Sequence, residues 1–234
     1  MTADNELSGS HGRPAIVAGA GAVGRATAIA LGAGGLRVAV IDRSAGRAGD
    51  LPDGMRREVA NPTDAGEVRV VIDRLAAELG PPAVLVNTVG SFAMGDALET
   101  TPEALELMLD VNLGAALWLS RAAAPHMQRA GGGAIVHIAS RPALEPAPGA
   151  AAYGMSKAAL VHLTRVLDLE LRPHGIRVNA VAPQLIDTPQ NRATLPAKVM
   201  ARAVQPEAIA EVIAFLVSAA AAPISGAIVP VYGG

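Results

Sequence analysis

Short apolar runs rich in β-branched residues alternate with helical patterns from one end of the chain to the other. This alternation predicts an α/β fold, a Rossmann-like, doubly wound parallel sheet of about seven strands with helices on both faces. No linker rich in serine and glycine interrupts the pattern, so we expect a single domain over residues 13–234. Residues 1–12 are small and polar and lack the charged-then-apolar profile of a signal peptide, which predicts a flexible N-terminal tail.

Seven runs have the length and the mostly apolar composition of strands that are covered on both faces. The predicted strands are Pro14–Ala18, Arg37–Ile41, Arg57–Ala60, Ala83–Asn87, Ala134–Ala139, Arg177–Ala182 and Ile228–Val231. The predicted helices are Val23–Ala33, Ala65–Leu79, Pro102–Arg129, Ala151–Leu171 and Pro206–Ala219. Thr101 followed by Pro102 supplies the N-cap and the first-turn proline that commonly begin a helix.

Composition and charge exclude several classes of function. A net charge of -2 and a pI near 6.2 provide no basic surface for a nucleic acid. The longest apolar runs, such as Ala208–Ala222, contain polar residues (Glu211 and Ser218 in this one), as buried helices do and membrane spans do not. The chain has no cysteine and its five histidines lack metal-ligand spacing, so we expect no metal site. These features predict a cytoplasmic protein that binds neither nucleic acid nor membrane.

A glycine-rich turn follows the first predicted strand and opens the first predicted helix. It reads Gly19-Ala20-Gly21-Ala22-Val23-Gly24, a GxGxxG pattern in which glycines allow a tight turn and a close approach of the backbone to a pyrophosphate. The chain has 25 glycines, so the spacing alone is weak, but its position between a strand and a helix favours a dinucleotide site. The predicted contacts are Gly19, Gly21, Val23 and Gly24.

Asp42 closes the second predicted strand, 18 residues beyond Gly24 (42 − 24). A carboxylate at this place accepts hydrogen bonds from a ribose diol and repels a 2′-phosphate, which favours NAD(H) over NADP(H). Arg43 beside it weakens this preference, and we expect both side chains near the adenosine ribose. The alternative interpretation is that Asp42 only caps a surface turn.

Tyr153 and Lys157 lie four residues apart in a predicted helix, so their side chains project from the same face. Free tyrosine has a pKa of about 10 and is a poor base at neutral pH, but a nearby cation favours the phenolate. Ser140 precedes Tyr153 by 13 residues (153 − 140), a spacing that suits a strand end facing a helix start. The three residues together predict proton transfer to or from a substrate oxygen.

From Ala15 to Gly234 the sequence resembles the short-chain dehydrogenase/reductase family. The motifs that carry the resemblance are Asp110-Val111-Asn112, Ile138-Ala139-Ser140, Tyr153-Gly154-Met155-Ser156-Lys157, Asn179-Ala180-Val181-Ala182-Pro183, Ile186-Asp187-Thr188-Pro189, Ser225-Gly226 and Gly233-Gly234. Asn87-Thr88-Val89-Gly90 also resembles a family motif but matches it only at Asn87 and Gly90. The glycine turn is one residue shorter than is usual in that family, and Asn61 stands where an acidic residue near the adenine is common. Gln184 and Tyr232 also depart from the usual pattern, at places that shape the substrate pocket.

The resemblance implies a catalytic set of Ser140, Tyr153, Lys157 and Asn112, with Asn112 positioning a water through its helix backbone. It implies further cofactor contacts by Tyr153 and Lys157 themselves and by Asn61, Asn87, Gly90, Pro183, Ile186 and Thr188. A homotetramer or homodimer is the oligomeric state that it implies.

We therefore predict an NAD(P)(H)-dependent oxidoreductase that interconverts a carbonyl and a secondary alcohol, such as a ketoreductase, with Tyr153 as general acid/base. Two alternatives remain open. The first is a dinucleotide-binding sensor or structural protein without turnover. The second is a family member that acts on C=C or C=N bonds. The substrate pocket is expected to be formed by residues 185–204 with Phe92, Met94, Arg141 and Leu144, and Arg141 or Arg192 is a candidate to hold an acidic group on the substrate.

Overall fold

A seven-stranded parallel sheet forms the centre of the protein, with the strand order β3-β2-β1-β4-β5-β6-β7. It is seen in a computed structural model that describes residues 12–46 and 51–233. The strands are β1 Pro14–Ala18, β2 Arg37–Asp42, β3 Arg56–Val59, β4 Val84–Asn87, β5 Gly133–Ile138, β6 Ile176–Pro183 and β7 Ile228–Val231. The predicted fold class is confirmed, and each strand begins and ends within one residue of its predicted bounds. Of the predicted tail, only Gly12 lies within the described residues.

Helices cover both faces of this sheet, and each face has its own apolar core. The helices are α1 Ala22–Ala33, α2 Ala65–Leu79, α3 Pro102–Leu109, α4 Ala115–Arg129, α5 Ala151–Leu171, α6 Pro189–Thr194, α7 Ala197–Met200 and α8 Pro206–Val217. Alternate residues of a strand enter opposite cores: Val17 packs with residues of α1 and α8, whereas Ile16 packs with residues of α2, α4 and α5. No helix in the described part of the chain is long and apolar enough to cross a membrane.

The predicted helix Pro102–Arg129 is wrong in one respect, because it is not continuous. A π-helical turn at Asp110–Gly114 separates α3 from α4. Such turns leave a carbonyl out of the regular i to i−4 ladder and often occur at functional sites. The two short helices α6 and α7 were also not predicted, and they lie in the segment after β6 that we expected to border the substrate pocket.

The order of the strands creates a crevice at one edge of the sheet. The chain runs outward from β1 to β3 in one direction and then returns to place β4 on the other side of β1. In open parallel sheets, ligands bind at the carboxyl ends of the strands beside such a reversal. The glycine turn follows β1, and the motifs that contain Asn87, Ser140 and Pro183 lie at the carboxyl ends of β4, β5 and β6.

Candidate active site

The glycine turn is compact, and two of its glycines are required by its shape. Gly19 has a φ of 97°, in the left-handed region that favours glycine. A Cβ on Gly24 would lie 1.9 Å from the carbonyl oxygen of Gly19, so no larger residue fits there. By contrast, a Cβ on Gly21 would meet nothing within 4 Å. The turn is therefore closely packed on its inner side and open at Gly21, where backbone can approach a ligand.

The N-terminus of α1 is free to receive an anion. Gly21 is its N-cap residue and provides no side-chain hydrogen bond to the first turn of the helix. No N-cap side chain therefore occupies the first amides of the helix, where the positive end of the helix dipole lies. This arrangement fits the pyrophosphate of a dinucleotide, which Gly21 and the neighbouring backbone would hold.

Thr88 fixes the turn from the neighbouring strand. Its hydroxyl lies 2.8 Å from the carbonyl oxygen of Ala18 and 3.1 Å from that of Gly19, and it can donate to either. The same oxygen would be 2.6 Å from a Cβ on Gly19, so the contact needs a glycine there. Sequence reasoning treated Thr88 only as a mismatch to the family motif. The alternation of strand residues alone could not have placed its hydroxyl against a segment 70 residues earlier.

Asp42 lies at the carboxyl end of β2 and is buried, with 5% of its surface exposed. Its Oδ2 accepts a hydrogen bond from the backbone N–H of Ala20 at 2.8 Å, and its Oδ1 accepts one from that of Ser44 at 3.0 Å. The interpretation of Asp42 as a mere surface cap does not fit this burial. A carboxylate has about four acceptor sites, so each oxygen retains capacity for a ribose hydroxyl. Arg43 is exposed beside it.

Two asparagines predicted to contact the cofactor have different surroundings. Asn61 is exposed just after β3, and its Oδ1 accepts from the backbone N–H and the hydroxyl of Thr63. Asn87 is buried at the end of β4, where its Oδ1 accepts from the backbone N–H of Val89 at 3.1 Å. The Nδ2 of Asn87 has no partner among the described residues.

Tyr153, Ser140 and Lys157 are brought together where β5 meets α5. The hydroxyl of Ser140, which is 6% exposed, interacts with the Tyr153 phenol. The Tyr153 ring also packs edge-on against Phe92, with 4.8 Å between the ring centroids and an interplanar angle of 82°. Lys157 is 4% exposed, and its Nζ donates to the carbonyl oxygen of Ile138 at 2.8 Å.

The protonation of this cluster differs from the prediction that Lys157 pulls down the pKa of Tyr153. Burial raises the pKa of Tyr153, and the hydrogen bond with Ser140 offsets part of that rise. Burial also lowers the pKa of Lys157 to about 8. The lowered pKa of Lys157 is caused by desolvation of the buried ammonium, whose hydrogen bond goes to the carbonyl of Ile138. Without ligands the tyrosine is therefore a protonated phenol at neutral pH.

Asn112 occupies the π-helical turn and is fully buried. Its Nδ2 donates to the carbonyl oxygen of Ser91 and to the hydroxyl of Ser156, each at 3.0 Å, and its Oδ1 accepts from the backbone N–H of Ser91 at 2.9 Å. The hydroxyl of Ser156 in turn donates to the backbone carbonyl of Tyr153 at 2.8 Å. Asn112 therefore ties the turn that follows β4 to the helical turn that carries Tyr153. Sequence reasoning did not assign roles to Ser91 and Ser156.

Gly90 allows the polar groups of this network to approach each other. A Cβ at this position would lie 3.0 Å from Oδ1 of Asn112 and 3.2 Å from Nζ of Lys157. Both distances are tighter than ordinary contacts, so a larger residue would displace one of the two side chains. The glycine predicted as a cofactor contact thus also has a packing reason to be there.

The segment after β6 lies on the other side of the crevice. Pro183 is the last residue of β6 and is buried. Thr188 is the N-cap of α6, where its hydroxyl accepts from the backbone N–H of Asn191 at 3.1 Å. The Nδ2 of Asn191 donates to the carbonyl oxygen of Ile186 at 2.8 Å. Ile186 and Thr188 are therefore held in one compact turn, and the Thr188 hydroxyl retains its proton to donate to a ligand.

Within the part of the chain that the structure describes, neither the buried His137 nor a metal-ligating cluster indicates a second reactive centre. His137 is fully buried in β5, and burial first and the charge of Lys157 second lower its pKa to about 3, so its imidazole is neutral. No group of three or more His, Asp or Glu side chains in residues 12–46 and 51–233 could hold a metal ion.

Comparison with known proteins agrees with this geometry. The family model described as Enoyl-(Acyl carrier protein) reductase matches residues 17–234. Galactitol 2-dehydrogenase of Rhizobium johnstonii is 38% identical over 95% of both chains. Cis-4-hydroxycyclohexanecarboxylate dehydrogenase of Sinomonas cyclohexanicum is 36% identical over 95% of this chain and 96% of that protein. The crystal structure of gox2181 has a TM-score of 0.90 and 30% identity, covering 99% of this chain and 97% of that one.

The parallel sheet, the glycine turn and these relatives define a dinucleotide-dependent oxidoreductase of the Rossmann type. The chain belongs to the short-chain dehydrogenase/reductase family. It is an NAD(P)(H)-dependent oxidoreductase that acts on alcohol and carbonyl groups of small molecules.

Proposed function

We propose that this enzyme interconverts a secondary alcohol and its ketone with Tyr153 as the general acid/base and with NAD(H) as the preferred cofactor. The observation that carries the proposal is the half-buried Tyr153 phenol, which interacts with the Ser140 hydroxyl one helical turn from the buried Lys157 ammonium. A bound nicotinamide would supply or accept the hydride at the carbon that changes oxidation state.

In the reductive direction, Tyr153 donates its proton to the carbonyl oxygen of the substrate. The raised pKa of Tyr153 supports this role, because the phenol is protonated at neutral pH. Ser140 donates a hydrogen bond to the same oxygen and stabilises the negative charge that develops there. Lys157 is mostly charged at pH 7, since its pKa is about 8, and it stabilises the phenolate that remains. In the oxidative direction the same groups act in reverse, with the phenolate accepting the alcohol proton.

Asn112 has a positioning role in this proposal. Its side-chain amide is occupied by Ser91 and Ser156, so it is the backbone of the π-helical turn that is left to hold a water for proton exchange. The π-helical turn interrupts the regular helical ladder, and such turns are frequent at functional sites, which supports this assignment.

The preference for NAD(H) rests on Asp42. Its buried carboxylate has lone pairs for the two hydroxyls of an adenosine ribose and would repel a phosphate at the 2′ position. Asn61, Asn87, Gly90, Pro183, Ile186 and Thr188 are proposed as the further cofactor contacts. The relatives that act on galactitol and on cis-4-hydroxycyclohexanecarboxylate support a hydroxylated sugar alcohol or a ring alcohol as substrate. A cytoplasmic homo-oligomer, either a dimer or a tetramer, is part of the same proposal.

A screen with product analysis tests this function. The purified enzyme is titrated with NADH and NADPH by fluorescence and then assayed against a panel of ketones and secondary alcohols, with α,β-unsaturated acyl compounds as a comparison set. We expect tighter binding of NADH and turnover of at least one ketone to its alcohol. Tight NADH binding without turnover across the panel would favour a sensor, and reduction of only the C=C bonds would assign a different reaction.

A further inference from the structure

Arg141 directly follows Ser140 and begins a short 3₁₀ turn, Arg141–Ala143, at the border of the crevice. Its side chain is 38% exposed, so it is neither part of the core nor fully solvated. Consecutive Cα atoms are about 3.8 Å apart, so Arg141 brings a cationic side chain next to Ser140, which contacts the Tyr153 phenol.

The guanidinium of Arg141 is held on two sides. Its Nε and Nη2 donate to Oε2 of Glu145 at 2.7 Å and 2.6 Å. Its Cζ lies over the ring of Tyr232, 4.9 Å from the ring centroid. The hydroxyl of Tyr232 also interacts with the Glu145 carboxylate, so the three side chains form one cluster. An arginine restrained in this way loses little conformational entropy when it binds a further group.

The cluster leaves part of the arginine available. A guanidinium has five N–H donors, and its face over Tyr232 consumes none of them. Glu145 occupies the edge formed by Nε and Nη2. Among residues 12–46 and 51–233, no acceptor for Nη1 is found. Those donors match the geometry of a carboxylate or another planar oxyanion.

Exposed apolar side chains lie on the loops beside Ser140 and Tyr153. Phe92, which packs against Tyr153, is 59% exposed, and Met94 on the same loop is 69% exposed. Leu144, three residues after Arg141, is 36% exposed. Binding sites for small molecules commonly combine an apolar wall with a few polar groups that fix orientation. This combination fits a hydrocarbon or ring body that carries one anionic group.

We propose that Arg141 is a specificity-determining residue that binds the carboxylate of a hydroxy- or oxo-carboxylic acid substrate, while Ser140 and Tyr153 act on its alcohol or carbonyl group. The proposal deepens the function assigned above and rests on it. Glu145 and Tyr232 orient the guanidinium, and Glu145 also limits its affinity for anions by partly neutralising its charge.

The test compares matched acidic and neutral ligands. Turnover of 4-oxocyclohexanecarboxylate is measured against that of cyclohexanone, and the ratio of the two kcat/KM values reports recognition of the carboxylate. Loss of a charge-assisted hydrogen-bonding pair in Arg141→Gln is expected to lower this ratio on the order of 10- to 100-fold. Glu145→Gln is expected to raise the ratio several-fold, because it removes the carboxylate that competes with the substrate.

Arg192→Gln tests the other arginine that the sequence offers for an acidic group, which is bonded to Asp187 and borders a cavity of about 330 Å³ next to α1. It should leave the ratio unchanged. The proposal is overturned if Arg141→Gln lowers kcat/KM equally for both substrates, which would indicate support of the Ser140 loop alone. It is also overturned if the ratio falls with Arg192→Gln instead.

A binding measurement tests the proposal without turnover. Isothermal titration of the NAD⁺-loaded enzyme with cyclohexanecarboxylate and with cyclohexanecarboxamide should show at least about tenfold tighter binding of the acid, lost in Arg141→Gln. Equal affinities for acid and amide in the wild-type enzyme would contradict the proposal. If the acid binds more tightly by this margin but no ketone is reduced, the proposed reaction fails and the anion site stands.

Discussion

Replacing the buried Lys157 by methionine is expected to stabilise the protein while it abolishes turnover. The side chain is 4% exposed, and burial lowers the pKa of its ammonium from 10.5 to about 8. One pKa unit corresponds to about 1.4 kcal/mol, so burying the charge costs about 3 kcal/mol at pH 7. Methionine has a similar shape and no charge, but it also removes the hydrogen bond to Ile138, which contributes about 1–2 kcal/mol. The expected net gain is about 1–2 kcal/mol.

The sign of the pH dependence follows from the lowered pKa. Below about pH 8 both the folded and the unfolded protein carry the charge, and the full cost is present. As the pH rises from 8 to 10.5, the folded state has lost this proton while the unfolded state still holds it, so the cost disappears. The advantage of Lys157→Met should therefore shrink towards zero, or reverse, near pH 10.5.

The assay is urea denaturation of the wild type, Lys157→Met and Lys198→Met at pH 7 and pH 10. Lys198 is the only other lysine in the chain and is exposed, which makes its replacement a matched control. We expect the free energy of unfolding to rise at pH 7 for Lys157→Met alone. A loss of stability of equal size at both pH values would refute the reasoning, because it would mean that the buried ammonium has no desolvation cost.

Further predictions concern the cofactor site and the pH profile. Asp42→Asn keeps an acceptor for the N–H of Ala20 but removes the charge, so the ratio of kcat/KM for NADPH over NADH should rise about tenfold or more. An unchanged ratio would count against Asp42 as the residue that sets the cofactor preference. Gly24→Ala should unfold or strongly destabilise the enzyme, whereas Gly21→Ala should fold with an unchanged melting temperature and bind NADH more weakly. Equal melting temperatures for the two variants would contradict the geometry of the turn. The kcat/KM for ketone reduction should fall above about pH 8, as Lys157 loses its proton, and a flat profile to pH 10 would argue against a catalytic ammonium.

The alternation of strands and helices was enough to predict the architecture, because covered parallel strands are short, apolar and rich in β-branched residues. What it could not predict was the π-helical turn at Asp110–Gly114. The residues of that turn other than Leu113 are weak helix formers, but weak propensity does not distinguish a π-helical turn from an ordinary helix. The interruption coincides with contacts of Asn112 to Ser91 and Ser156, which are distant in sequence. A local pattern carries no information about such partners.

The candidate site, too, could be predicted only in part. The spacing of Tyr153 and Lys157 along one helix predicted that they would lie on one face, and they do. The spacing could not predict that the Lys157 ammonium donates to the carbonyl of Ile138, because that contact depends on the position of β5. It could not predict the lowered pKa of Lys157 either, because that depends on burial. Arg141 and Tyr232 are about 90 positions apart, and their contact could not be predicted because a local pattern does not specify distant partners.

The most direct test of the central claim is single-turnover hydride transfer by Tyr153→Phe, on a ketone that the wild-type enzyme reduces. The substitution removes only the hydroxyl and keeps the ring that packs against Phe92. We predict that the rate of NADH oxidation falls roughly 10²- to 10⁴-fold while the variant still binds NADH. Hydride transfer at the wild-type rate by the folded variant would contradict the assignment of Tyr153 as the proton donor.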